Sequence, residues 1–494
     1  MPHDPETLRR RIGLIAGPLV FVALLLTPAP SDLDLPAWHT AALGLLMAIW
    51  WITEALPIAA TALLPLVALP VMDVMPIRDV AAPYANPIIF LFMGGFMIAL
   101  AMQRWELHRR IALRLVSWVG TRPSSIVIGF IIASAFLSMW VSNTATALMM
   151  LPIGLSIIRV NRDQASDSPA ADPASNFSVV LLLSIAYACN IGGVGTLIGT
   201  PPNALLAAFM LETYGVDVGF AQWLVVGLPM VVISLPLMYG VLTWIYPLDR
   251  ATLPGGAALI DAKLTDIGSI SPAEMRVAAV FGLTALLWIT RRWIEPVVPG
   301  LSDAGIAMAA SVALFILPAG GSANRALLTW DEVQELPWGI LILFGGGLSL
   351  AAAIDGTGLA AWIGEAVRGL SAWPLLLIVL AVVVLIILLT EITSNTATAA
   401  AFLPIMGSVA VGIGQNPLLL VVPAAIGASC AFMLPVATPP NAIVYGSGFL
   451  SIPQMSRAGL GLNLLFTVLI TLGTYALLGV ALGVEIGTLP AWAG

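Results

Sequence analysis

Apolar windows separated by short polar segments fill almost the whole chain. Windows close to the roughly 20 helical residues that a bilayer requires lie at 12–28, 36–53, 56–72, 87–103, 177–211, 222–246, 273–291, 303–318, 338–354, 417–450 and 458–484. This pattern predicts an all-α polytopic membrane protein with about 11 transmembrane helices.

Two further pairs of apolar segments are each interrupted by a Ser-Asn-Thr triplet. The pairs are 124–141 with 145–158, broken at Ser142-Asn143-Thr144, and 374–393 with 397–413, broken at Ser394-Asn395-Thr396. Each arm is short for a transmembrane helix. Arg122 precedes the first pair and Arg159 follows it, so both of its ends favour the cytoplasm. We therefore predict two re-entrant hairpins, at 124–158 and 374–413.

A Thr-Pro-Pro-Asn motif follows each hairpin inside a long apolar window. The two copies are Thr200-Pro201-Pro202-Asn203 and Thr438-Pro439-Pro440-Asn441. Two consecutive prolines remove two backbone donors and leave nearby carbonyls unpaired, so a helix breaks there. The motifs predict broken helices at 177–211 and 417–450, with the following helices capped by Asn203 and Asn441.

The charges ahead of the two hairpins have opposite bias. The first stretch is basic because it contains Arg104, His108, Arg109, Arg110 and Arg114, whereas the second contains Asp355, Glu365 and a single Arg368. Homologous halves with opposite bias insert in opposite orientations, which predicts an inverted repeat.

The predicted organisation has four parts. An N-terminal tail and first spanning helix (1–35) precede the first repeat (36–246), a cytoplasmic linker (247–271) follows, and the second repeat (272–494) ends with a helix at 458–484. The basic run Arg9-Arg10-Arg11 places the N-terminus in the cytoplasm, and the span count then places the C-terminus outside. No small-residue cleavage site closes the first apolar run, which is therefore interpreted as a span and not as a signal peptide.

Composition agrees with this class and excludes others. The chain of 494 residues is 60% hydrophobic and 9% charged, with a mean hydropathy of +1.01, whereas a soluble domain carries about 25% charged residues. Two cysteines within apolar segments indicate no disulfide framework, and three scattered histidines indicate no metal site. Neither an intramembrane enzyme motif nor a nucleic-acid partner is indicated.

The triplets have chemistry suited to ions. Where one helix ends and another begins, several N–H and C=O groups lack helical partners. The N–H groups and positive dipole end of the second arm favour an anion, and the carbonyls ending the first arm favour a small cation such as sodium. The alternative is that these polar side chains only bridge neighbouring helices. For the Thr-Pro-Pro-Asn motifs, the alternative is an ordinary proline kink. Their duplication at matching places favours a binding centre.

No lysine or arginine lies in any of the four motif segments. Moving a dianion to membrane depth without compensation is very costly, and each helix terminus supplies only about half a charge. Bound cations would supply the rest, which favours cation-coupled transport. Glu391 and Glu54 are the acidic residues nearest the membrane interior. Each is a candidate proton site or a structural group that pairs or hydrogen-bonds locally.

With these motifs the sequence resembles the divalent anion–sodium symporter family, the INDY-type dicarboxylate transporters, over essentially its whole length. The resemblance implies a homodimer in a bacterial inner membrane, without an organic cofactor, that moves a transport domain past a scaffold domain in an elevator motion. It also implies inward transport of C4-dicarboxylates such as succinate, malate and fumarate together with Na+.

Carried over by position, the resemblance implies two sodium sites and one substrate site. Sodium site 1 would use Ser138, Ser142, Asn143 and the Gly199 carbonyl, and sodium site 2 would use Thr390, Thr393, Asn395 and the Ala437 carbonyl. The substrate carboxylates would contact Ser142, Asn143, Thr144, Thr200, Pro201, Ser394, Asn395, Thr396, Thr438 and Pro439. Exchange instead of symport, and sulfate or citrate instead of a dicarboxylate, stay open as alternatives. An anion channel is the alternative from a different class.

Overall fold

The computed structural model describes residues 5–118, 122–164, 175–248, 256–320 and 323–493. The helices up to the first hairpin are α1 (Pro5–Leu26), α2 (Leu35–Thr53), α3 (Ile58–Thr61), α4 (Leu64–Val71), α5 (Ile77–Ala81), α6 (Pro87–Arg104) and α7 (Leu107–Ser117). The rest of the first half consists of α8 (Pro123–Ser138), α9 (Asn143–Gln164), α10 (Asn176–Gly193), α11 (Pro201–Tyr214) and α12 (Phe220–Ile245).

The second half contains further helices and two short strands. It contains α13 (Gly256–Ile267), α14 (Pro272–Ile294), α15 (Asp303–Ile316), β1 (Pro318–Gly320), β2 (Ala323–Ala326), α16 (Trp330–Val333), α17 (Trp338–Gly356), α18 (Leu359–Ala366), α19 (Leu375–Thr390), α20 (Asn395–Gly412), α21 (Leu418–Ala428), α22 (Pro439–Tyr445) and α23 (Ile452–Leu482). Short 3₁₀ helices occupy Ala82–Ala85 and Arg368–Ala372.

The helical membrane architecture is confirmed. Among the described residues, eight helical segments are long and apolar enough to cross a membrane: α2, α5 with α6, α10, α12, α14, α17, α20 and α23. Five further apolar segments of 10–17 residues in the described part of the chain are α3 with α4, α8, α15, α19 and α21. The count of eleven spans and the re-entrant path of the hairpins stay predictions.

Two local features differ from the prediction: the chain contains a short β-ribbon, and the predicted linker contains a helix. Strands β1 and β2 form a short antiparallel ribbon, and β1 ends at Gly320, whose φ of +82° favours glycine. The predicted linker contains α13, which packs against α7. Apolar residues Leu264 and Ile267 on α13 contact the hydrophobic core, so an amphipathic surface helix forms where the overall polarity of the segment suggested none.

Equivalent helices of the two halves make equivalent contacts. The first helix of each broken pair packs against its own hairpin, α10 against α8 and α21 against α19. The second helix packs against the other hairpin, so that α11 contacts α20 and α22 contacts α9. This exchange interlocks both hairpins with both broken helices around one centre.

Helix α10 lies at that centre. Its residues from Phe177 to Gly193 are all buried, as expected for a helix that is apolar on all sides. At Gly192 the backbone of Ala135 on α8 comes so close that a β-carbon would lie 2.3 Å from its carbonyl oxygen. Small residues thus let the hairpin arm pack directly on α10.

Candidate functional site

The first triplet begins helix α9 with free backbone donors. Helix α8 ends at Ser138 and α9 begins at Asn143. The Ser142 hydroxyl accepts a hydrogen bond from the Ala145 amide at 3.3 Å, which caps the helix. Among the described residues, the amides of Asn143 and Thr144 have no protein acceptor. This helix end therefore presents two donors and a positive dipole end.

The second triplet has the same design. Helix α19 ends at Thr390 and α20 begins at Asn395, with Ser394 at the N-cap position but without a side-chain capping bond. Within the described part of the chain, the amides of Asn395, Thr396 and Ala397 have no protein acceptor. Both triplets are half-buried, so their donors stay accessible to a small anion.

The Thr-Pro-Pro-Asn motifs contribute differently. Each threonine is the N-cap residue and the two prolines occupy the first helical positions of α11 and α22, so those positions offer no amide donors. The amides that can bind an anion thus come from the hairpins. The threonines and prolines of these motifs can contribute a hydroxyl, surface contact and a helix dipole.

The asparagines of these motifs do not cap the following helices as predicted. The side-chain nitrogen of Asn203 instead donates back to the carbonyls of Gly193 (3.2 Å), Val194 (3.2 Å) and Thr196 (2.8 Å). Asn441 donates in the same way to Ala431 and Leu434, both at 3.1 Å. The capping group in the second repeat is the Thr438 hydroxyl, which accepts a hydrogen bond from the backbone amide of Asn441. Both side chains thus bond carbonyls at the helix breaks, where the regular helical hydrogen bonds are interrupted.

The structure brings together three of the four residues of predicted sodium site 1. The Ser138 hydroxyl contacts Asn143 Oδ1 and also donates to the Cys189 carbonyl at 2.8 Å. A β-carbon at Gly193 would lie 2.7 Å from Asn143 Oδ1 and 3.1 Å from the Gly199 carbonyl oxygen. These oxygens therefore surround one point next to the end of α10. Ser142 makes no hydrogen bond to them in the described structure.

Predicted sodium site 2 is assembled in part. The Thr390 hydroxyl lies 2.8 Å from Asn395 Oδ1 and 2.7 Å from the Ala428 carbonyl, which matches the arrangement at Ser138. Thr393 faces elsewhere: its hydroxyl donates to the Leu389 carbonyl and lies 2.5 Å from the Thr398 hydroxyl. No hydrogen bond among the described residues joins the Ala437 carbonyl to the other three.

Glu391 holds the second break through backbone amides. Its buried carboxylate accepts from the amides of Phe432 (2.7 Å), Met433 (2.9 Å) and Leu434 (3.2 Å). The Asn463 side chain on α23 adds a fourth donor at 2.7 Å. The carboxylate thus hydrogen-bonds behind the hairpin tip, as expected if Glu391 is a structural group and not a proton site. Glu54 likewise pairs locally, with Arg9 at 3.5 Å and Arg10 at 3.7 Å.

One arginine reaches the edge of the site. Arg9 donates to the carbonyl of Ile392 at 3.1 Å, two residues before the second triplet. Ile392 itself is 54% exposed, and the same guanidinium pairs with Glu54. No arginine or lysine hydrogen-bonds to a triplet or a Thr-Pro-Pro-Asn motif in the described residues. The oxygens and amides of the site therefore have no fixed cationic side chain as a partner.

Several residues of this centre escaped prediction. The most important are Asn190, Gly193, Thr196 and Asn463. Thr196 donates to the Met139 carbonyl, and this bond ties the first break to the first hairpin. A polar residue on an otherwise apolar helix, such as Asn190 on α10, was the available signal.

The fold and the site define a helical membrane transporter. A family model described as the sodium:sulfate symporter transmembrane region matches residues 9–484. The sodium-dependent dicarboxylate transporter SdcS of Staphylococcus aureus (strain USA300) is 46% identical over 487 residues, which cover 98% of this chain and 94% of that protein. SdcS of strain MRSA252 matches with the same identity and coverage. The chain belongs to the divalent anion–sodium symporter family.

Two solved transporters share the fold at low sequence identity. The Alcanivorax borkumensis YdaH transporter superposes with a TM-score of 0.52 at 17% identity, covering 91% of this chain and 98% of that one. Neisseria gonorrhoeae MtrF superposes with a TM-score of 0.54 at 10% identity, covering 93% and 96%. These likenesses concern the fold alone.

Proposed function

We propose that this protein is a sodium-coupled symporter for C4-dicarboxylates such as succinate, malate and fumarate. The observation that carries the proposal is the pairing, at each hairpin tip, of unbonded helix amides with hydroxyl and amide oxygens. Amides at two helix ends suit the two carboxylates of one substrate, and the neighbouring oxygens suit sodium. The 46% identity to a sodium-dependent dicarboxylate transporter supports the same substrate pair.

Charge balance explains why cations must accompany the substrate. The two helix ends together offer about one positive charge, against two negative charges on the substrate. Glu391 adds a carboxylate close to the second site, held by neutral donors alone. Two sodium ions bound beside the triplets would offset the remaining charge, so substrate binding without sodium is strongly disfavoured.

We assign the substrate contacts to the two triplets with Thr200, Pro201, Thr438 and Pro439. Sodium site 1 consists of Ser138, Ser142, Asn143 and the Gly199 carbonyl, and sodium site 2 of Thr390, Thr393, Asn395 and the Ala437 carbonyl. The contacts at Ser138 and Thr390 support this assignment. Movement of the interlocked hairpins and broken helices as one body, in a homodimer, would provide the elevator motion.

Uptake of labelled succinate into proteoliposomes tests the function. A sodium gradient directed inward should drive accumulation above the external concentration, and choline in place of sodium should abolish it. Equal uptake in both conditions would contradict sodium coupling. Uptake that requires succinate inside the vesicle would identify an exchanger instead, and flux that never saturates with substrate would identify a channel.

A competition panel separates the substrates considered within the family. Excess unlabelled succinate should suppress uptake of labelled succinate far more than citrate or sulfate at the same concentration. Stronger suppression by sulfate would contradict the dicarboxylate proposal and indicate a sulfate transporter, which is the function that the description of the matching family names.

A further inference from the structure

Asn190 crosses from the first repeat into the second. It lies on α10 and is fully buried. Its side-chain nitrogen is 3.1 Å from the Thr438 hydroxyl and 3.4 Å from both the Ala431 carbonyl and Asn441 Oδ1. Because a carbonyl oxygen and an amide oxygen only accept, the nitrogen of Asn190 must face this cluster. The two N–H groups of this amide are thus shared among three acceptors of the second break.

The same residue adjoins the first cation site. The carbonyl of Cys189, the residue before it, accepts from Ser138, and Ser138 contacts Asn143. On the other side, Thr438 caps α22 and Asn441 closes the second break. A short path therefore runs from sodium site 1 by a hydrogen bond to Cys189, along the chain to Asn190, and by a second hydrogen bond to Thr438 and the break that belongs to sodium site 2.

Among the described residues, this link from the first repeat to the second break has no counterpart in the other direction. The Cys189 carbonyl that Ser138 contacts corresponds to the Ala428 carbonyl that Thr390 contacts, so the position equivalent to Asn190 is Ser429, whose buried hydroxyl has no hydrogen-bond partner in the described structure. Correspondingly, Asn203 Oδ1, the equivalent of the Asn441 oxygen that Asn190 contacts, is buried without a hydrogen-bond partner in the described structure. The two repeats are alike in fold, but in the part of the chain that the structure describes only the second break is bonded by the other repeat in this way.

We propose that Asn190 is a positioning residue that couples the two sodium sites, an inference that rests on the proposed function. A cation at site 1 fixes Ser138 and Asn143, and with them the end of α10. Asn190 then holds Thr438 and the second break in the arrangement that site 2 requires. The second ion binds more tightly because the first has already ordered its site, which is cooperativity by shared ordering.

The test is a sodium titration of the melting temperature, without substrate and at constant ionic strength with choline. The wild-type protein should respond with a Hill coefficient above 1. Asn190→Ala should bring the coefficient close to 1 and raise the half-saturating sodium concentration by about fivefold, the lower end of usual coupling factors. Asn86→Ala removes another buried amide, one that bonds Glu212 and caps α6, and should leave the titration unchanged.

A double-mutant cycle separates coupling from general damage. In a Thr390→Ala background, where site 2 is disabled, Asn190→Ala should have no further effect on the sodium titration. An equal effect in both backgrounds, or an unchanged Hill coefficient in the single variant, would overturn the proposal. If Asn190→Ala does not fold at saturating sodium, Asn190→Ser, which ends one atom short of Thr438, takes its place. A wild-type protein that does not respond to sodium would instead contradict the proposed function.

Discussion

Replacing Gly193 by alanine should block sodium site 1 without removing any of its ligands. A β-carbon at this position would lie 2.7 Å from Asn143 Oδ1, 3.2 Å from its nitrogen and 3.1 Å from the Gly199 carbonyl oxygen. The first distance is too short for a carbon–oxygen contact, so the Asn143 side chain must move. The second repeat has Ala431 at the equivalent position, which indicates that the broken helix itself tolerates a methyl group.

The size of the effect follows from the cost of overpacking. Forcing a methyl group into a filled space costs about 1–3 kcal/mol. If sodium binding requires Asn143 in its present place, this cost falls on the bound state and weakens site 1 by about 5- to 150-fold. The half-saturating sodium concentration for thermal stabilisation should rise accordingly, and sodium-driven succinate uptake should fall at low sodium and recover partly at high sodium.

The matched control is Gly44→Ala on α2. There the nearest atom to an added β-carbon is 3.8 Å away, on Leu350, which is an ordinary contact. This variant should keep wild-type sodium dependence. A Gly193→Ala protein that folds and titrates with sodium like the wild type would refute the placement of site 1 beside Gly193.

Two further predictions concern stability. Glu391→Gln places an NH2 group opposite backbone amides, which are also donors, and should lower the free energy of unfolding by about 3 kcal/mol. Asn463→Ala removes only one charge-assisted hydrogen bond and should lower it by about half as much. Equal losses in the two variants would contradict the role given to the Glu391 carboxylate. Partial burial alone would raise the pKa of Glu332, but hydrogen bonds from Arg325, Thr329 and Arg104 lower it to about 2 from 4.5. Its stabilising effect is therefore present above pH 4.5 and lost as the pH falls towards 2. Glu332→Gln should lower the melting temperature at pH 7 and much less at pH 3, and a constant difference would show that the charge is not responsible.

Much of the fold could be predicted because membrane helices are encoded by long apolar windows. The bounds of α6, α12 and α17 differ from their predicted windows by only one or two residues. The helix breaks at both triplets could be predicted because polar residues inside an apolar window indicate non-helical backbone that is buried in protein or lines a cavity. The ribbon of β1 and β2 could not be predicted from the apolar windows, because its strands have only three and four residues.

The site was predictable in its residues more than in its contacts. Duplication indicated the triplets, but the asparagines of the proline motifs were assigned to helix capping, whereas they bind carbonyls across the breaks. Which buried carbonyl needs a donor depends on tertiary packing, and one sequence does not show it. Asn190 and Asn463 contact groups that are far from them in sequence, Thr438 and Glu391, so only the fold shows that these residues belong to the centre.

The central claim is that a dianion rests at membrane depth only because helix ends and sodium ions neutralise it there. Binding of succinate to the purified transporter, measured by calorimetry across a range of sodium concentrations, tests this most directly. The account predicts that affinity rises steeply with sodium and that succinate raises the affinity for sodium by the same factor, as linkage requires. Succinate binding of equal strength in sodium and in choline would contradict it.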